Sequence, residues 1–402
     1  MNVKRFLSDS STREIDRKID GIVLNHQISG KRSTKRPPNT SRSLMYSQEG
    51  DLGEYFARFL YRQKCIDLEL LTNELAERRF VDQFLASIRP KSLRLSGLSL
   101  GPRCIDALIP SIQDRTFVLI DFSLNRLGDE GAMTLAFFLE SNPNVAQIDL
   151  RSCSIGPKGC SALLKALTKN THLVQLDLST INGLSRNRLG PEGCQMLAWL
   201  LQTNEILFSL DVSTCGLTPD CCSRMCSAFS HNNALTYLNR SANSIGSVGF
   251  NTMFGSKGSF GALETLLLAK NDIDDEAAES FGRRLSECQT LRIVDLSGNR
   301  IAGQFLSAIY NALEAGSKVR VLKLARNGIN ESQAGYLEKF LKDFNILKKL
   351  DLSGNPLRNS STKIARALFS NENLASIDLS DTELGDDVSS ALALAIEHNT
   401  SL

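Results

Sequence analysis

The chain has 402 residues, of which 42% are hydrophobic and 22% are charged, a composition typical of a protein that buries a core. Lys and Arg number 46 and Asp and Glu number 44, so the net charge of +2 argues against binding of nucleic acid or acidic membranes by the whole surface. No apolar run reaches the roughly 18 residues that a membrane span needs, and residues 1–20 contain no signal-peptide core, so we expect a soluble, cytoplasmic protein.

The first 50 residues differ in charge from the rest of the chain. They contain ten Lys and Arg against five Asp and Glu, so they carry +5 and the remaining residues carry −3. Residues 31–38 (KRSTKRPP) are polar and basic and end in two prolines, which predicts a disordered tail over 1–50. Such a tail is typical of nuclear import, of contact with an anionic partner such as a microtubule, or of a solvated segment with neither role.

Residues 51–89 are predicted to form a helical N-terminal cap. Val81, Phe84, Leu85 and Ile88 follow the i, i+3, i+4, i+7 spacing of one helix face. A stacked array needs such a cover because its first strand would otherwise expose an apolar end.

One pattern, L-x-x-L-x-L-x-x-N-x-L, recurs from residue 90 to the last residue. Its copies begin at residues 90, 117, 145, 173, 207, 235, 263, 291, 319, 347, 374 and 402, so successive copies are 27 or 28 residues apart except for one interval of 34. The pattern predicts a solenoid of about 11 repeats over 90–402. Because Leu402 is the first position of a further copy, the array is expected to end within a repeat.

Each copy has two halves with different hydrophobic periods. Pairs such as Leu350 and Leu352 alternate as in a short strand, whereas Leu163, Leu164 and Leu167 follow helical spacing. The Asn after each strand is placed to satisfy backbone groups where the chain turns, which predicts a buried polar ladder through the stack. Cys153, Cys215 and Thr382 take the Asn position in three copies.

This pattern and repeat length resemble the ribonuclease-inhibitor-like class of leucine-rich repeat proteins over residues 90–402. The resemblance implies an α/β solenoid, a horseshoe with parallel strands on the concave face and helices on the convex face. The class includes ribonuclease inhibitor, the Ran GTPase activator, the repeat halves of innate immune receptors, and many cytoskeletal and ciliary proteins. It therefore indicates the fold more strongly than the function.

The third strand position is expected to point into the concave face, because side chains alternate along a strand. Aspartate occupies that position in seven of ten copies: Asp121, Asp149, Asp177, Asp211, Asp295, Asp351 and Asp378. An acidic stripe of this kind predicts a partner with a basic surface. The alternative is that Asp mainly supports hydrogen bonding at the strand edge. In an adjacent row, Tyr237 is a candidate aromatic anchor.

Two copies depart from the pattern. The 34-residue copy carries an insertion at 181–186, and we expect its residues Asn182, Leu184 and Arg186 to project as a loop at one rim of the array, as a binding loop or as a tolerated surface loop. In the copy that begins at Leu235, Arg240 takes an inward position that other copies fill with an apolar residue. Five glycines within 246–261 oppose a stable helix there, which predicts a loosened point in the array.

The ten cysteines and four histidines form neither a disulfide framework nor a metal site. The tightest group, Cys221, Cys222 and Cys226 with His231 nearby, lacks the paired Cys-x2-Cys spacing of zinc ligands. We expect buried, reduced thiols and no metal or other cofactor.

No zinc-hydrolase motif or phosphate loop is present, and the four histidines are not placed to serve any single cysteine or serine as a base. We therefore expect no catalysis, no small-molecule substrate and no membrane partner. The favoured interpretation is a non-catalytic scaffold that binds one or more proteins through a curved repeat platform, in a cytoskeletal or ciliary assembly. The alternative is a GTPase-activating protein that resembles the Ran activator, and a third interpretation is the sensing half of an immune receptor.

Overall fold

The computed structural model of the chain describes residues 52–255, 261–343, 346–358 and 361–402. The predicted basic tail over 1–50 lies outside the described residues. The α-helices are α1 (Glu54–Asp67), α2 (Glu74–Ser87), α3 (Pro102–Ile112), α4 (Gly128–Glu140), α5 (Pro157–Leu167), α6 (Gly190–Thr203), α7 (Pro219–His231), α8 (Gly246–Phe254), α9 (Ala278–Glu287), α10 (Gly303–Glu314), α11 (Ala334–Asp343), α12 (Ser361–Ser370) and α13 (Asp386–His398).

The strands are two or three residues long and form one 12-stranded sheet in sequence order. They are β1 (Ile88–Arg89), β2 (Ser92–Arg94), β3 (Leu119–Asp121), β4 (Gln147–Asp149), β5 (Gln175–Asp177), β6 (Ser209–Asp211), β7 (Tyr237–Asn239), β8 (Thr265–Leu267), β9 (Ile293–Asp295), β10 (Val321–Lys323), β11 (Lys349–Asp351) and β12 (Ser376–Asp378). Strands β2 to β12 are parallel, and β1 pairs antiparallel with β2. The predicted repeat solenoid with a parallel sheet is confirmed.

The sheet register follows the repeat period, because each residue pairs with the residue at the same position of the next copy. Leu322, for example, pairs with Val294 on one side and with Leu350 on the other. The middle residue of each strand faces the helices and is buried in nearly every copy, whereas the first and third residues face away and stay partly exposed. We call the side that carries these outer positions the strand face.

The helices pack side by side against a single continuous apolar core. Close approach depends on small residues at some crossings. A Cβ added to Gly159 on α5 would lie 2.8 Å from the Cβ of Ala132 on α4, so a larger residue there would push the two helices apart. The apolar positions that follow helical spacing in the sequence, such as Leu163, Leu164 and Leu167, are all buried.

The asparagine after each strand is buried and joins two repeats. The Nδ2 of Asn299 donates to the carbonyl of Leu296 in its own turn (2.7 Å) and to that of Leu268 in the preceding repeat (3.0 Å). Its Oδ1 accepts the backbone N–H groups of Asn271 (2.9 Å) and Ile273 (3.1 Å). The predicted ladder is confirmed, and its buried members are Asn125, Asn187, Asn243, Asn271, Asn299, Asn327 and Asn355.

The three predicted substitutes also donate to backbone carbonyls. The Sγ of Cys153 lies 3.0 Å from the carbonyl of Phe122, and the Sγ of Cys215 lies 3.1 Å from that of Leu178. The Oγ1 of Thr382 donates over 2.6 Å to Leu379. A thiol or hydroxyl is a donor of limited reach, so these copies keep the donor function of Asn without its full set of bonds.

The residue just before the ladder position adopts a left-handed conformation in nearly every copy. Its φ is +69° at Gly298 and +68° at Gly354, where glycine relieves the strain, but +54° at Arg326 and +56° at Lys270. This turn brings the ladder side chain back under the strand.

A second asparagine ladder lies where each helix leads into the next strand, and the sequence analysis did not predict it. The Nδ2 of Asn232 donates to the carbonyls of Leu201 (2.7 Å) and Asn204 (3.3 Å), and its Oδ1 accepts the N–H of Leu235 (2.9 Å). Asn recurs at matching positions of the repeat, and this recurrence is the sequence signal that predicts the second ladder. These residues are Asn142, Asn170, Asn204, Asn232, Asn371 and Asn399.

Some helices borrow their N-terminal caps from the preceding repeat. Helix α5 has no capping side chain of its own, and the Oδ1 of Asp129 on α4 accepts the N–H of Gly159 over 2.7 Å. In the same way Asp275 accepts the N–H groups of Ala302 (2.9 Å) and Gln304 (2.9 Å) at the start of α10. A carboxylate at a helix N-terminus also interacts favourably with the helix dipole, so these contacts stabilise the stacking of repeats.

The cap region contains two helices, α1 and α2, held together by aromatic rings. The ring centroids of Phe56 and Phe84 are 6.2 Å apart, and Phe84 is fully buried. The predicted helical face is wrong at two positions. Leu85 is 41% exposed, because α1 packs along the side of α2 that carries Phe80 and Phe84, and Ile88 leaves the helix to pair with Leu93 in the sheet.

The glycine-rich copy does form a helix, α8, which at 9 residues is the shortest of the described α-helices. Phe250, Met253 and Phe254 are buried against its neighbours, and this burial offsets the low helix propensity of Gly246 and Gly249. Gly255 and Gly261 lie beyond the helix. None of the described helices combines the length and the apolar character that crossing a bilayer requires.

We expect replacement of Asn299 by Ala to lower the free energy of unfolding by about 2–4 kcal/mol, because it leaves buried donors and acceptors of two repeats unpaired. Asn271→Ala is the matched control. Asn271 is equally enclosed, but its Oδ1 has no partner and only its Nδ2 is engaged, so its loss should cost less. Urea unfolding of both variants measures the difference. An Asn271→Ala variant that is as destabilised as Asn299→Ala would contradict this account of the ladder.

Candidate functional site

The strand face carries the third residue of every parallel strand in one continuous row. Sheet register places these residues next to one another in the order Arg94, Asp121, Asp149, Asp177, Asp211, Asn239, Leu267, Asp295, Lys323, Asp351 and Asp378. The predicted alignment of the aspartates is therefore present, and so is its interruption at β7 and β8.

All seven aspartates also have a local structural task. In each copy the Oδ1 accepts the backbone N–H of the residue two positions later, as Asp177 does from Ser179 (2.9 Å). The same bond occurs in the other six copies at 2.9–3.0 Å. This bond holds the turn after the strand. Each aspartate thus supports the turn at the edge of its strand, as the alternative interpretation predicts. An interaction role must rest on charge or burial that this hydrogen bond does not require.

The first four aspartates form an acidic cluster with one cation among them. The Nη2 of Arg151 lies 2.6 Å from the Oδ2 of Asp149, and its Nε lies 3.3 Å from the Oδ2 of Asp177. Asp121 and Asp211 complete the cluster at its two ends. Arg151 therefore pairs with two of four adjacent carboxylates, and Arg94 stands next to Asp121 at the end of the row. Negative charge remains in excess.

The electrostatic strain is greatest at Asp177 and Asp211. Burial raises the pKa of Asp177 well above its ordinary value, and repulsion from Asp211 and Asp149 adds to the shift. Burial likewise raises the pKa of Asp211, although hydrogen bonds from Ser213 and Asn239 oppose it. The Asn239 Nδ2 donates to the Asp211 Oδ2 over 2.8 Å. A positive group placed beside this pair would remove part of the unfavourable energy.

Tyr237 lies at the edge of the acidic cluster, where β7 follows β6. It is half-buried, and its pKa is raised first by burial and then by the charges of Asp211 and Asp177, so the phenol stays protonated at neutral pH. An aromatic ring beside two carboxylates suits a Lys or Arg side chain, which interacts with both.

The second half of the strand face differs in charge. Lys323 stands between Asp295 and Asp351 in the row, and its Nζ lies 3.5 Å from the Oδ2 of Asp295. Leu267 is buried and apolar, and it separates the two halves of the row. The acidic stripe expected along the whole array is thus concentrated in β3 to β6.

The inserted segment 181–186 is exposed along its whole length and starts four residues after Asp177. Its backbone is held by the N–H of Leu184, which donates to the carbonyl of Ile181 (3.0 Å), and by the N–H of Ile181, which donates to the Oγ of Ser152 (2.9 Å). Ile181 and Leu184 are 43% and 49% exposed, and Asn182 and Arg186 are exposed beside them. The insertion therefore places two exposed apolar side chains, Ile181 and Leu184, in a loop that follows β5.

Arg240 is not part of the strand face. It is 1% exposed and points inward, where its Nη1 donates to the Sδ of Met253 and its Nη2 lies 3.7 Å from the Sγ of Cys222. Its Cζ lies 5.6 Å from the ring centroid of Phe229. Sequence reasoning predicted the inward position but not the sulfur environment, because the two helices that supply it, α7 and α8, are brought together only by stacking.

No group of three or more His, Cys, Asp or Glu in the described part of the chain is arranged to hold a metal ion. Residues 97–101 (GLSLG) match the Gly-x-Ser-x-Gly spacing of hydrolase nucleophiles, and Ser99 has a φ of +57°. The same left-handed geometry occurs three residues before the helix at Glu383 and Asp272 in other repeats, so the turn belongs to the repeat rather than to a catalytic site.

Comparison with known proteins points to the same repeat. A family model described as Leucine Rich repeat matches residues 113–136, 141–164 and 287–308. The chain is 26% identical over 283 residues to NACHT, LRR and PYD domains-containing protein 13 of Homo sapiens, which covers 70% of this chain and 27% of that protein. It is 24% identical over 322 residues to ribonuclease inhibitor of Sus scrofa, which covers 79% of this chain and 68% of the inhibitor.

A solved structure of Rad7 and Elc1 from yeast aligns at 15% identity and a TM-score of 0.40, over 94% of this chain and 96% of that chain. The chain spans only about a quarter of the length of its first NACHT-containing relatives, at 27% and 28%. All three matched stretches lie within the repeats whose strands form the parallel sheet. The chain therefore carries leucine-rich repeats that stack into a parallel sheet, and its sequence is similar to that of ribonuclease inhibitor.

Proposed function

We propose that this chain is a non-catalytic scaffold that binds a protein partner on the first half of its strand face. The observation that carries the proposal is the acidic cluster of Asp121, Asp149, Asp177 and Asp211, in which Arg151 pairs with only two of the four carboxylates. The partner is a protein segment that presents Lys or Arg to this cluster.

The aspartates do more than their turns require. A turn needs one oxygen of each side chain, and Asn would supply it equally well. Burial raises the pKa values of Asp177 and Asp211, so a charge on these side chains costs folding energy, part of which a cation from a partner would recover on binding. Charge of one sign on a shaped surface also speeds encounter with a partner of opposite charge.

The inserted loop adds an apolar contact beside the charged one. Ile181 and Leu184 offer exposed side chains at the end of β5, and Tyr237 lies across the cluster on β7. Interfaces combine a few apolar or aromatic anchors with charged groups at their rim. The partner segment therefore carries apolar residues next to its basic ones.

The setting that we propose is a cytoplasmic one, in a cytoskeletal or ciliary assembly. It is supported by the resemblance to cytoskeletal and ciliary repeat proteins and by the basic composition of residues 1–50. In this proposal the basic tail contacts an anionic partner such as a microtubule, while the repeats hold a second protein.

A second candidate is a GTPase-activating protein like the Ran activator, which the repeat length favours. It predicts that the partner on the strand face is a small GTPase and that the purified chain accelerates GTP hydrolysis by it. That measurement distinguishes the two candidates, because a scaffold binds its partner without changing the rate of GTP hydrolysis.

Replacement of Asp177 and Asp211 by Asn together should lower the association rate constant for the partner about tenfold and flatten its salt dependence. Proteins retained from cell extract by the full chain but not by this variant are identified by mass spectrometry, and the rates are then measured with the purified partner. The matched control is Asp351→Asn with Asp378→Asn, which removes the same charge from the far end of the row. Equal loss of binding in both double variants would contradict the placement of the site.

Asp177→Asn should raise the free energy of unfolding at pH 7 by about 1–2 kcal/mol, because it keeps an acceptor for Ser179 and removes a strained charge. The pKa of Asp177 is higher in the folded than in the unfolded chain, so the native state is penalised above that pKa and relieved as the pH falls through it. The gain should therefore shrink from pH 7 towards pH 4. Thermal unfolding across that range measures it, with Asp351→Asn, which has Lys323 beside it, as the control. A loss of stability at pH 7 would oppose the proposal.

Substitution of Lys31, Arg32, Lys35 and Arg36 by Gln should abolish co-sedimentation of the full chain with microtubules at low salt. The wild-type chain is expected to co-sediment, and its bound fraction to fall as salt rises, because the contact is electrostatic. Asp177→Asn with Asp211→Asn serves as the control that leaves the tail unchanged. If the wild-type chain does not co-sediment, microtubule binding by the tail is refuted. The proposed partner site on the strand face is not affected by that result.

A further inference from the structure

A row of basic side chains lies beside the second half of the strand face. Arg292, Arg320 and Lys348 each stand directly before a strand, at the same position of three consecutive copies. The backbone N–H of Arg320 donates to the carbonyl of Arg292 (2.8 Å), and that of Lys348 donates to the carbonyl of Arg320 (2.8 Å). Neighbours in this row are therefore about one strand spacing apart, roughly 4.8 Å. We call these three residues the basic row.

The repeat does not require a charge at this position. Three copies of the first half place Val118, Ala146 and Val174 there, and all three are buried. Arg320 and Lys348 are exposed instead. Like charges on adjacent strands repel each other, so the basic row costs folding energy that Val or Ala would avoid. The charges therefore point to an anionic ligand rather than to packing.

The charges of the basic row are not neutralised by its surroundings. The Nη1 of Arg292 donates to the carbonyls of Gln289 (2.9 Å) and Leu291 (3.2 Å), and the Nζ of Lys348 donates to that of Asn373 (3.1 Å). Within the described ranges, none of the three cations forms an ion pair with a carboxylate. An incoming carboxylate would thus be the first counter-charge that they meet.

Two further lysines and two glutamates border the basic row. Lys318 and Lys349 lie one and two residues from its members in sequence. Glu264 takes the same position in the preceding copy, where its carbonyl accepts the N–H of Arg292 (2.8 Å), and Glu372 lies next to Asn373 beyond the other end. Positive charge is therefore in excess, and the acidic residues stand at the two ends of the row.

The strand face next to the basic row is apolar. Ile293 and Val321 are the first residues of β9 and β10, they pair in register, and both are partly exposed. On their other side the Nζ of Lys323 is engaged by the Oδ2 of Asp295 over 3.5 Å. The surface thus combines an apolar stripe with a parallel line of cations that lack carboxylate partners.

The spacing of these two stripes matches an α-helix that lies across the strands. Residues at i and i+3 or i+4 of a helix advance about 4.5–6 Å along its axis, and residues at i and i+7 about 10.5 Å. The basic row advances by roughly 4.8 Å per residue and spans about 10 Å from Arg292 to Lys348. An extended strand shows one residue on a given side every ~6.6 Å, which falls out of step with the row.

We propose that the basic row and the stripe of Ile293 and Val321 form a docking surface for an amphipathic helix of another protein. That helix carries Glu or Asp at i, i+3 or i+4, and i+7, and apolar residues on the adjacent stripe. Each arginine is able to bind a carboxylate through two parallel hydrogen bonds. The acidic cluster lies on β3 to β6 and takes a partner of opposite charge, so this inference does not depend on the proposed function.

The first test measures binding of a fluorescein-labelled helical peptide of about 18 residues, or five turns, to the full-length protein by anisotropy. The peptide carries Glu at i, i+4, i+7 and i+11 with Leu on the adjacent stripe, and a second peptide has the same composition with the Glu residues moved off this spacing. Arg320→Gln with Lys348→Gln should weaken binding of the first peptide at least about tenfold. The matched control is Lys158→Gln with Lys165→Gln, which removes the same charge from exposed positions on α5 and should leave binding unchanged.

Equal binding of the two peptides, or equal loss in the two double variants, would show attraction to any basic surface and would overturn the proposal. Absence of saturable binding of the first peptide would overturn it as well. A DNA duplex of equal charge is the competitor at physiological salt. If the duplex binds the basic row more tightly than the peptide does, the row belongs to a nucleic acid and the helix is refuted. Asp177→Asn with Asp211→Asn should bind the peptide as the wild-type protein does, so each site succeeds or fails separately.

The second test needs no ligand. Arg320→Val introduces the residue that first-half copies carry, and it should raise the midpoint of thermal unfolding at low salt while it weakens peptide binding. The rise should shrink as salt increases, because salt screens the repulsion that the substitution removes. A lower midpoint in Arg320→Val would show that the arginine serves the fold and would overturn the proposal.

Discussion

The buried asparagine that follows each strand is the contact on which the array depends. A strand of three residues leaves most backbone groups of its repeat unpaired, and one amide side chain supplies two donors and an acceptor at the point where the chain turns away. Asn299 bonds its own turn and the preceding repeat at once, so no repeat is satisfied alone. The second ladder, at Asn232 and its equivalents, does the same where helix leads into strand. Stacking is thus required by hydrogen bonding as well as by apolar burial.

The irregular copy shows what happens when this rule is relaxed. The Oδ1 of Asn271 has lost its partners, the guanidinium of Arg240 takes a place that apolar side chains fill elsewhere, and α8 is short. Arg240 and α8 belong to the copy that begins at Leu235, and Asn271 belongs to the copy that follows it. The unfavourable energy is therefore concentrated in two neighbouring repeats of an otherwise regular stack.

The strand face illustrates a different balance between folding and function. Each aspartate supports its turn through one oxygen, and an amide would do so without repulsion. At Asp177 and Asp211 burial raises the pKa of both carboxyl groups, so their charge opposes folding at neutral pH. At Asp295 the neighbouring Lys323 offsets the charge, with its Nζ 3.5 Å from the Oδ2.

The sequence by itself determined the repeat, the register and the row of aspartates, because a fixed period of about 28 residues forces equivalent positions to become neighbours in a stack. It also identified Arg240 and the 181–186 insertion as departures. The tertiary structure alone decided which aspartates are strained, since that depends on how deeply each carboxylate is buried and which charges lie beside it. It alone surrounded Arg240 with Cys222, Met253 and Phe229, because these side chains come from α7 and α8 and their meeting depends on side-chain direction. Periodicity predicts which positions are adjacent, whereas charge balance depends on atoms a few ångströms apart.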